Sequence, residues 1–225
     1  MNAGQPERHI AQRFFRTIPG RDRTLTRPGR YLQRALRLTP LRPYDVTISH
    51  SSSFIWYRVP KVASRALLQA FDDHSITCEA RHPAHVRLPL RLFDSYFAWA
   101  IVRHPVDRLE SCWRNKVRDR NFYALPPSSR SPEGFLEHLE TLDLRNAEPH
   151  VRLQSRSIDL TRIDFLGRME NLASDLGQVF AHLDVEFSDV PVKNATEKRD
   201  NAWSAALRQR AAVLYALDME IFGYE

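Results

Sequence analysis

The residues of this chain best suited to chemistry are those that can hold and neutralise anions. Lys61 and Ser64 fall in the short stretch Arg58-Val-Pro-Lys-Val-Ala-Ser64, and Arg103 and Ser111 in Val102-Arg-His-Pro-Val-Asp-Arg-Leu-Glu-Ser111. A lysine in a tight turn before a helix adds a full charge to two things already there: free backbone N–H groups and the positive end of the helix dipole. The choice of lysine is informative. The chain has four lysines, Lys61, Lys116, Lys193 and Lys198, against 29 arginines, so a basic position here defaults to arginine. Lysine supplies a compact point charge where arginine supplies a planar fork. The turn lacks the GxxxxGK[ST] pattern of the nucleotide triphosphatases, and the plain alternative is a strand, a turn and a surface lysine.

These groups need rigid elements to hold them. Phe54 to Val59 is aromatic and β-branched, which suits a buried strand. It ends at Pro60, which has no N–H for a central ladder. Leu67, Leu68 and Phe71 follow at helical spacing, with Ser64 as the expected N-cap. Tyr96 to Val102 is a second strand of the same kind, and Pro105 suits the first position of the next helix. That helix puts Val106, Leu109, Trp113 and Val117 on one face and Ser111 opposite, with Asp107, Arg114 and Arg118. Arg103 at the strand end and Ser111 on the polar face can then converge on one anion; an arginine-rich exposed helix is the alternative. From residue 46 on, the order is strand, helix, short segment, strand, helix, helix, strand, helix, loop, helix. Such interleaving argues for an α/β fold with a parallel sheet covered on both faces.

Composition bounds the rest. With 225 residues, 43% hydrophobic and 27% charged, the chain is long enough for one well-cored domain and is neither disordered nor membranous in character. No apolar run approaches a bilayer span, and no secretory leader is expected. Cys78 and Cys112 make neither a disulfide framework nor a metal cluster, and fit reduced thiols in a cytoplasmic protein. The net charge of +6 is unevenly placed: residues 1–43 hold ten arginines against Glu7 and Asp22, which leaves a balance of −2 for the remainder. The expected organisation is therefore a basic N-terminal arm over 1–43, partly helical or flexible, and a domain over 44–225. A solvated extension is preferred to a nucleic-acid-binding arm, and no nucleic-acid partner is expected. Within the arm, Tyr31, Leu32, Ala35, Leu36 and Leu38 alternate with Arg30, Arg34 and Arg37 as a short basic amphipathic helix would.

Taken as a spaced pair, the two stretches resemble the signature regions of sulfotransferases that use 3′-phosphoadenosine-5′-phosphosulfate (PAPS). They are closest in character to the carbohydrate branch that includes the heparan and chondroitin enzymes and soluble bacterial members. Glu148-Pro-His150 with Gln154 resembles the family's His-plus-Gln segment. Ile163-Asp-Phe-Leu-Gly-Arg-Met-Glu-Asn-Leu172 resembles its later strand-to-helix stretch, and Leu214-Tyr-Ala-Leu-Asp218 with Phe222-Gly-Tyr224 its terminal helix. Val62 and Ala66 depart from the pattern, standing where many relatives carry hydroxyl residues. The resemblance implies a three-layer α/β/α domain with a central parallel sheet, like that of the phosphate-loop nucleotide triphosphatases. It also implies transfer of a sulfuryl group from PAPS to a hydroxyl acceptor, a glycan or glycolipid, leaving PAP, with no metal.

The same resemblance implies roles. Lys61 neutralises the leaving phosphate, and Val62, Ala63, Ser64 and Arg65 hold the 5′-phosphate through their backbone. Arg103 and Ser111 clamp the 3′-phosphate. A histidine is expected to take the acceptor's proton. His85 in Arg81-His-Pro-Ala-His-Val-Arg87 is the first choice, with His82 and His150 as further candidates at the substrate. Thr196 and Lys198, in the polar loop before the last helix, are possible donor contacts, with a solvated loop as the alternative. Asn171 is read as a helix N-cap, and His104 as a residue that opens its helix. A non-catalytic module binding PAP or polyanions, using the basic arm, is the reading from another class. A kinase on a similar fold is disfavoured by the missing glycine-rich loop.

Overall fold

The computed structural model describes residues 44–82, 90–187 and 203–225, apart from the His82 side chain. The N-terminal arm, His85, Thr196 and Lys198 lie outside the described residues, as does the side chain of His82.

The α/β fold implied by the sequence is the one observed. A five-stranded sheet has the spatial order β3-β1-β2-β4-β5, from β1 (Val46–Ser49), β2 (Phe54–Tyr57), β3 (Ala80–His82), β4 (Phe97–Val102) and β5 (Phe165–Arg168). The parallel part is β2, β4 and β5, with Trp56 opposite Trp99 and Ile101 opposite Gly167. β1 pairs antiparallel with both β2 and β3, so the sheet is mixed, with the parallel strands at the site. β1 and β2 form a hairpin that the coarse strand-and-helix order did not separate. Its turn, His50 to Ser53, carries the serine-rich composition that marks such turns.

Helices α1 (Ser64–Asp73) and α4 (Leu172–His182) cover one sheet face. Alternation along the strands puts Phe54, Trp56 and Trp99 on that face, where Trp56 stacks on Trp99 at 5.3 Å and Phe71 of α1 stacks on Phe180 of α4 at 5.8 Å. Gly167 is required here, because a Cβ would lie 2.6 Å from the Ile101 side chain and 3.0 Å from Asp175 of α4. The opposite face is covered mainly by short irregular segments that include Leu90.

A second hydrophobic core stands apart from the sheet. It joins α2 (Pro105–Cys112), α3 (Pro132–Glu140) and α5 (Ala205–Leu214) through Val106, Leu109, Phe135, Leu139, Trp203 and Leu207. The apolar face predicted for α2 therefore packs on helices rather than on strands. Trp113 and Val117 are buried as expected, but Trp113–Arg118 is wound as a π-helix. Such wide turns concentrate at functional sites, and this one carries Lys116. The last helix, α6 (Ala216–Phe222), follows α5 directly and contributes Asp218 and Phe222 to the interior. Among the described residues, no helix is long and apolar enough to cross a membrane.

Candidate active site

β2 and β4 are parallel neighbours, so their carboxyl ends open on the same edge of the sheet, where ligands of open α/β sheets bind. Lys61 follows the end of β2 and Arg103 the end of β4. They are close enough for the charge of Arg103, with those of Lys116 and Arg65, to act on the Lys61 ammonium. Burial comes first in holding Lys61 below the usual lysine range. The buried Cys112 opposes that shift, and the three neighbouring cations add to it.

The turn bearing Lys61 has an unusual backbone. Lys61 has φ 73° and Ala63 has φ 59°, both in the left-handed region that side chains rarely occupy. Each such residue costs roughly 1–2 kcal/mol relative to the right-handed helix conformation. What this conformation provides is a nest: the N–H groups of Lys61, Val62, Ala63, Ser64 and Arg65 meet no acceptor among the described residues. Successive free N–H groups in mixed left- and right-handed conformation make a concave anion site. Ala63, not Ser64, is the N-cap of α1, and it makes no side-chain cap. The Ser64 hydroxyl instead reaches the Val59 carbonyl at 3.3 Å, tying the helix start to the chain leaving β2. Ala63→Gly should relieve part of the strain and raise stability by about 0.5–1 kcal/mol, net of the added freedom of the unfolded chain. Thermal melts would check this, and a lower Tm would show that φ at Ala63 is not strained.

Arg103 is held by its backbone. The Gln154 side chain accepts from the Arg103 N–H at 3.1 Å and donates to its carbonyl at 2.8 Å. Gln154 is fixed in turn by buried Asp218, whose carboxylate accepts from the N–H groups of Gln154 at 2.6 Å and Ser155 at 3.1 Å and from the Ser155 hydroxyl at 2.6 Å. The Arg103 guanidinium, by contrast, has no hydrogen bond or ion pair with any described residue. Burial comes first in lowering its pKa; Asp107 and Glu170 oppose the shift without touching it. Ser111 is partly buried, and its hydroxyl has no partner among the described residues. The structure shows no hydrogen bond between Ser111 and Arg103. Of the face-mates expected for Ser111, Asp107 is engaged by Arg208 at 2.5 Å and Arg114 by Glu110 at 3.5 Å.

The remaining candidates separate. The N–H of His104 donates to Glu170 at 2.7 Å, and its ring lies edge-on to Tyr224, whose hydroxyl donates to Glu170 at 3.0 Å. Glu170 thus ties the end of β4 to Tyr224, and Asn171 stands at the N-cap of α4 without a side-chain cap. His150 pairs with Glu148 in a cluster that includes Tyr123 and Cys112. Sequence reasoning missed this cluster and the Gln154–Asp218 brace, although Glu148, Gln154 and Asp218 all lie in stretches singled out by the resemblance. The Lys116 ammonium lies over the Phe122 ring at 4.0 Å. Among the described residues, no group of three or more His, Cys, Asp or Glu side chains could hold a metal ion.

Among the described residues, the site therefore offers two neighbouring cations without counterions, a nest of free N–H groups, and a backbone brace that fixes one of the cations. This suits a ligand with more than one anionic group. A family model described as the sulfotransferase family matches residues 44–225. No curated protein and no solved structure matches the chain.

Proposed function

The chain belongs to the sulfotransferase family, and on that premise we propose that it moves the sulfuryl group of PAPS to a hydroxyl of a carbohydrate acceptor. The observation that carries this reading is the pairing of Lys61 and Arg103 at one sheet edge, each lacking an anionic partner among the described residues. A donor with a phosphosulfate at one end and a 3′-phosphate at the other presents two anionic groups to two such cations.

In this reading the 5′-phosphate rests on the N–H groups of Val62, Ala63, Ser64 and Arg65, and Lys61 faces the oxygen that bridges phosphorus and sulfur. Sulfuryl transfer is an in-line displacement whose leaving phosphate gains charge as the S–O bond breaks. Preplaced cations and dipoles are the main catalytic resource for such a step. Arg103 and Ser111 take the 3′-phosphate. The arginine brings charge-assisted, directional hydrogen bonds that favour PAPS over nucleotides lacking that phosphate. Thr196 and Lys198 are further contacts in this proposal, and His85, His82 and His150 are the histidines available to receive the acceptor's proton. The free thiols of Cys78 and Cys112 support a reducing compartment, the cytoplasm.

The test is transfer from sulfate-labelled PAPS to a panel of glycans, glycolipids and small hydroxyl compounds, read by mass spectrometry, with calorimetry of PAP binding. Labelled sulfate on a glycan is expected. Absence of both PAP binding and transfer would refute the reading. Polyanion binding that disappears on deletion of residues 1–43, without PAP binding, would favour the non-catalytic module instead.

A further inference from the structure

We propose that Gln154, fixed by buried Asp218, is a positioning residue for donor selection: it aims Arg103 at the 3′-phosphate, a role that rests on the sulfotransferase reading above. The Arg103 guanidinium makes no hydrogen bond or ion pair with a described residue. Any order it has before a ligand arrives must therefore come from its backbone. That backbone lies in a gap between elements. β4 ends at Val102, paired with Arg168 of β5, and α2 begins only at Pro105. An N–H and a carbonyl in such a gap need partners from elsewhere. The Gln154 carboxamide supplies both, accepting from the Arg103 N–H at 3.1 Å and donating to its carbonyl at 2.8 Å. An amide side chain offers the same acceptor and donor as the backbone of a neighbouring strand. Gln154 thus continues the sheet one residue past β4, to the residue that must face the ligand.

Gln154 can do this because it is itself held. It is fully buried, and residues 150–155 are gripped by groups from two sides. From α2, buried Arg108 donates to the carbonyls of His150 at 2.9 Å and Arg152 at 2.5 Å. The Tyr215 hydroxyl, at the junction of α5 and α6, donates to the Val151 carbonyl at 2.5 Å. From α6, the Asp218 carboxylate takes the N–H groups of Gln154 and Ser155 and the Ser155 hydroxyl. A buried cation therefore sits on the carbonyls and a buried carboxylate on the N–H groups, and charge-assisted bonds are the stronger class. Burial pushes the Asp218 carboxyl above its ordinary range, while these donors and the charge of Arg108 pull against that. The contacts Asp218–Gln154–Arg103 run from the helical core to the sheet edge through hydrogen bonds alone. Fixing the Arg103 backbone in advance reduces the ordering that phosphate binding must impose on a long side chain.

Paired calorimetric titrations of the full chain with PAP and 5′-AMP give an affinity ratio that reports the 3′-phosphate. Gln154→Met keeps the length and bulk of the side chain without its carboxamide. It should lower the PAP:5′-AMP ratio about tenfold, the worth of one pre-ordered side chain. Gln154→Glu keeps the acceptor, loses the donor and sets a carboxylate against the Arg103 carbonyl, so its loss should be at least as large. Thermal melts accompany both variants. A Gln154 that only supports the fold would lower Tm and weaken the two nucleotides alike, and that result overturns the proposal.

The deciding measurement is a double-mutant cycle with Arg103→Ala. In that background Gln154→Met should change the ratio by less than about twofold, because no guanidinium remains to be aimed. An equal loss of ratio in both backgrounds overturns the proposal, since Gln154 would then act on the phosphate by another route. A ratio unmoved by Gln154→Met and Gln154→Glu, beside a full loss in Arg103→Ala, overturns the brace and leaves the donor reading standing. A ratio unmoved by Arg103→Ala, or wild-type protein that binds no PAP, defeats the donor reading and the brace together.

Discussion

Lys61→Ala should reduce sulfuryl transfer by about a thousandfold while weakening PAP binding far less. A preorganised charge at the site where negative charge develops is worth about 3–4 kcal/mol of barrier when removed. The proposed role fits its surroundings: Lys61 is partly buried, has no carboxylate partner among the described residues, and sits in a turn with left-handed backbone at Lys61 and Ala63. The loss should appear in kcat, because the phosphate being neutralised carries more charge in the transition state than in the bound donor. Lys61→Arg should recover only part of the rate, since a planar fork does not replace a point charge in a tight turn. Single-turnover rates beside calorimetric PAP affinities would check both variants. Near-normal turnover by Lys61→Ala would remove the lysine from the mechanism.

On the proposed reading the same residue should set a pH dependence of PAP binding. Burial and the neighbouring cations hold the free Lys61 below the ordinary lysine pKa, whereas bound phosphates draw it upward. Between the two values the complex binds more protons than the free protein. PAP affinity should therefore fall as pH rises through that alkaline window, earlier than for an ordinary lysine. This dependence should disappear in Lys61→Ala.

Arg103→Ala should weaken PAP binding by roughly 10²–10³-fold and leave the binding of 5′-AMP nearly unchanged. A charge-assisted hydrogen bond is worth about 1.5–3 kcal/mol, and an arginine engaging a phosphate commonly makes two. The guanidinium is free to do so because its backbone is held by Gln154, which leaves the side chain without a competing partner among the described residues. Paired calorimetric titrations with PAP and 5′-AMP isolate the 3′-phosphate. Equal losses for the two nucleotides would mean that Arg103 supports the pocket as a whole and does not read that phosphate.

Much of this arrangement was legible in the chain. Phe54 to Tyr57 and Phe97 to Val102 are continuous apolar runs because central parallel strands are buried on both faces, and the helices after them follow from local spacing. The position of Lys61 after Pro60 and of Arg103 before Pro105 likewise marks where a strand must stop, and the two stretches as a spaced pair carried the family resemblance. These are short-range properties, decided by residues within a turn or two of one another. Other features depended on contacts that have no local pattern. Ser64 has the chemistry of an N-cap, yet left-handed backbone at Ala63 took that position, because the fold turns the chain sharply enough to form a nest. Gln154 meets Arg103 across 51 positions, and Asp218 meets Gln154 across 64. Tyr123 reaches Glu148 across 25. A hydrogen bond between distant side chains leaves no periodicity to read. The sequence by itself determined which residues could hold an anion and on which elements they ride; the tertiary structure decided which of them meet, because only packing of the two cores sets distances between groups far apart in the chain.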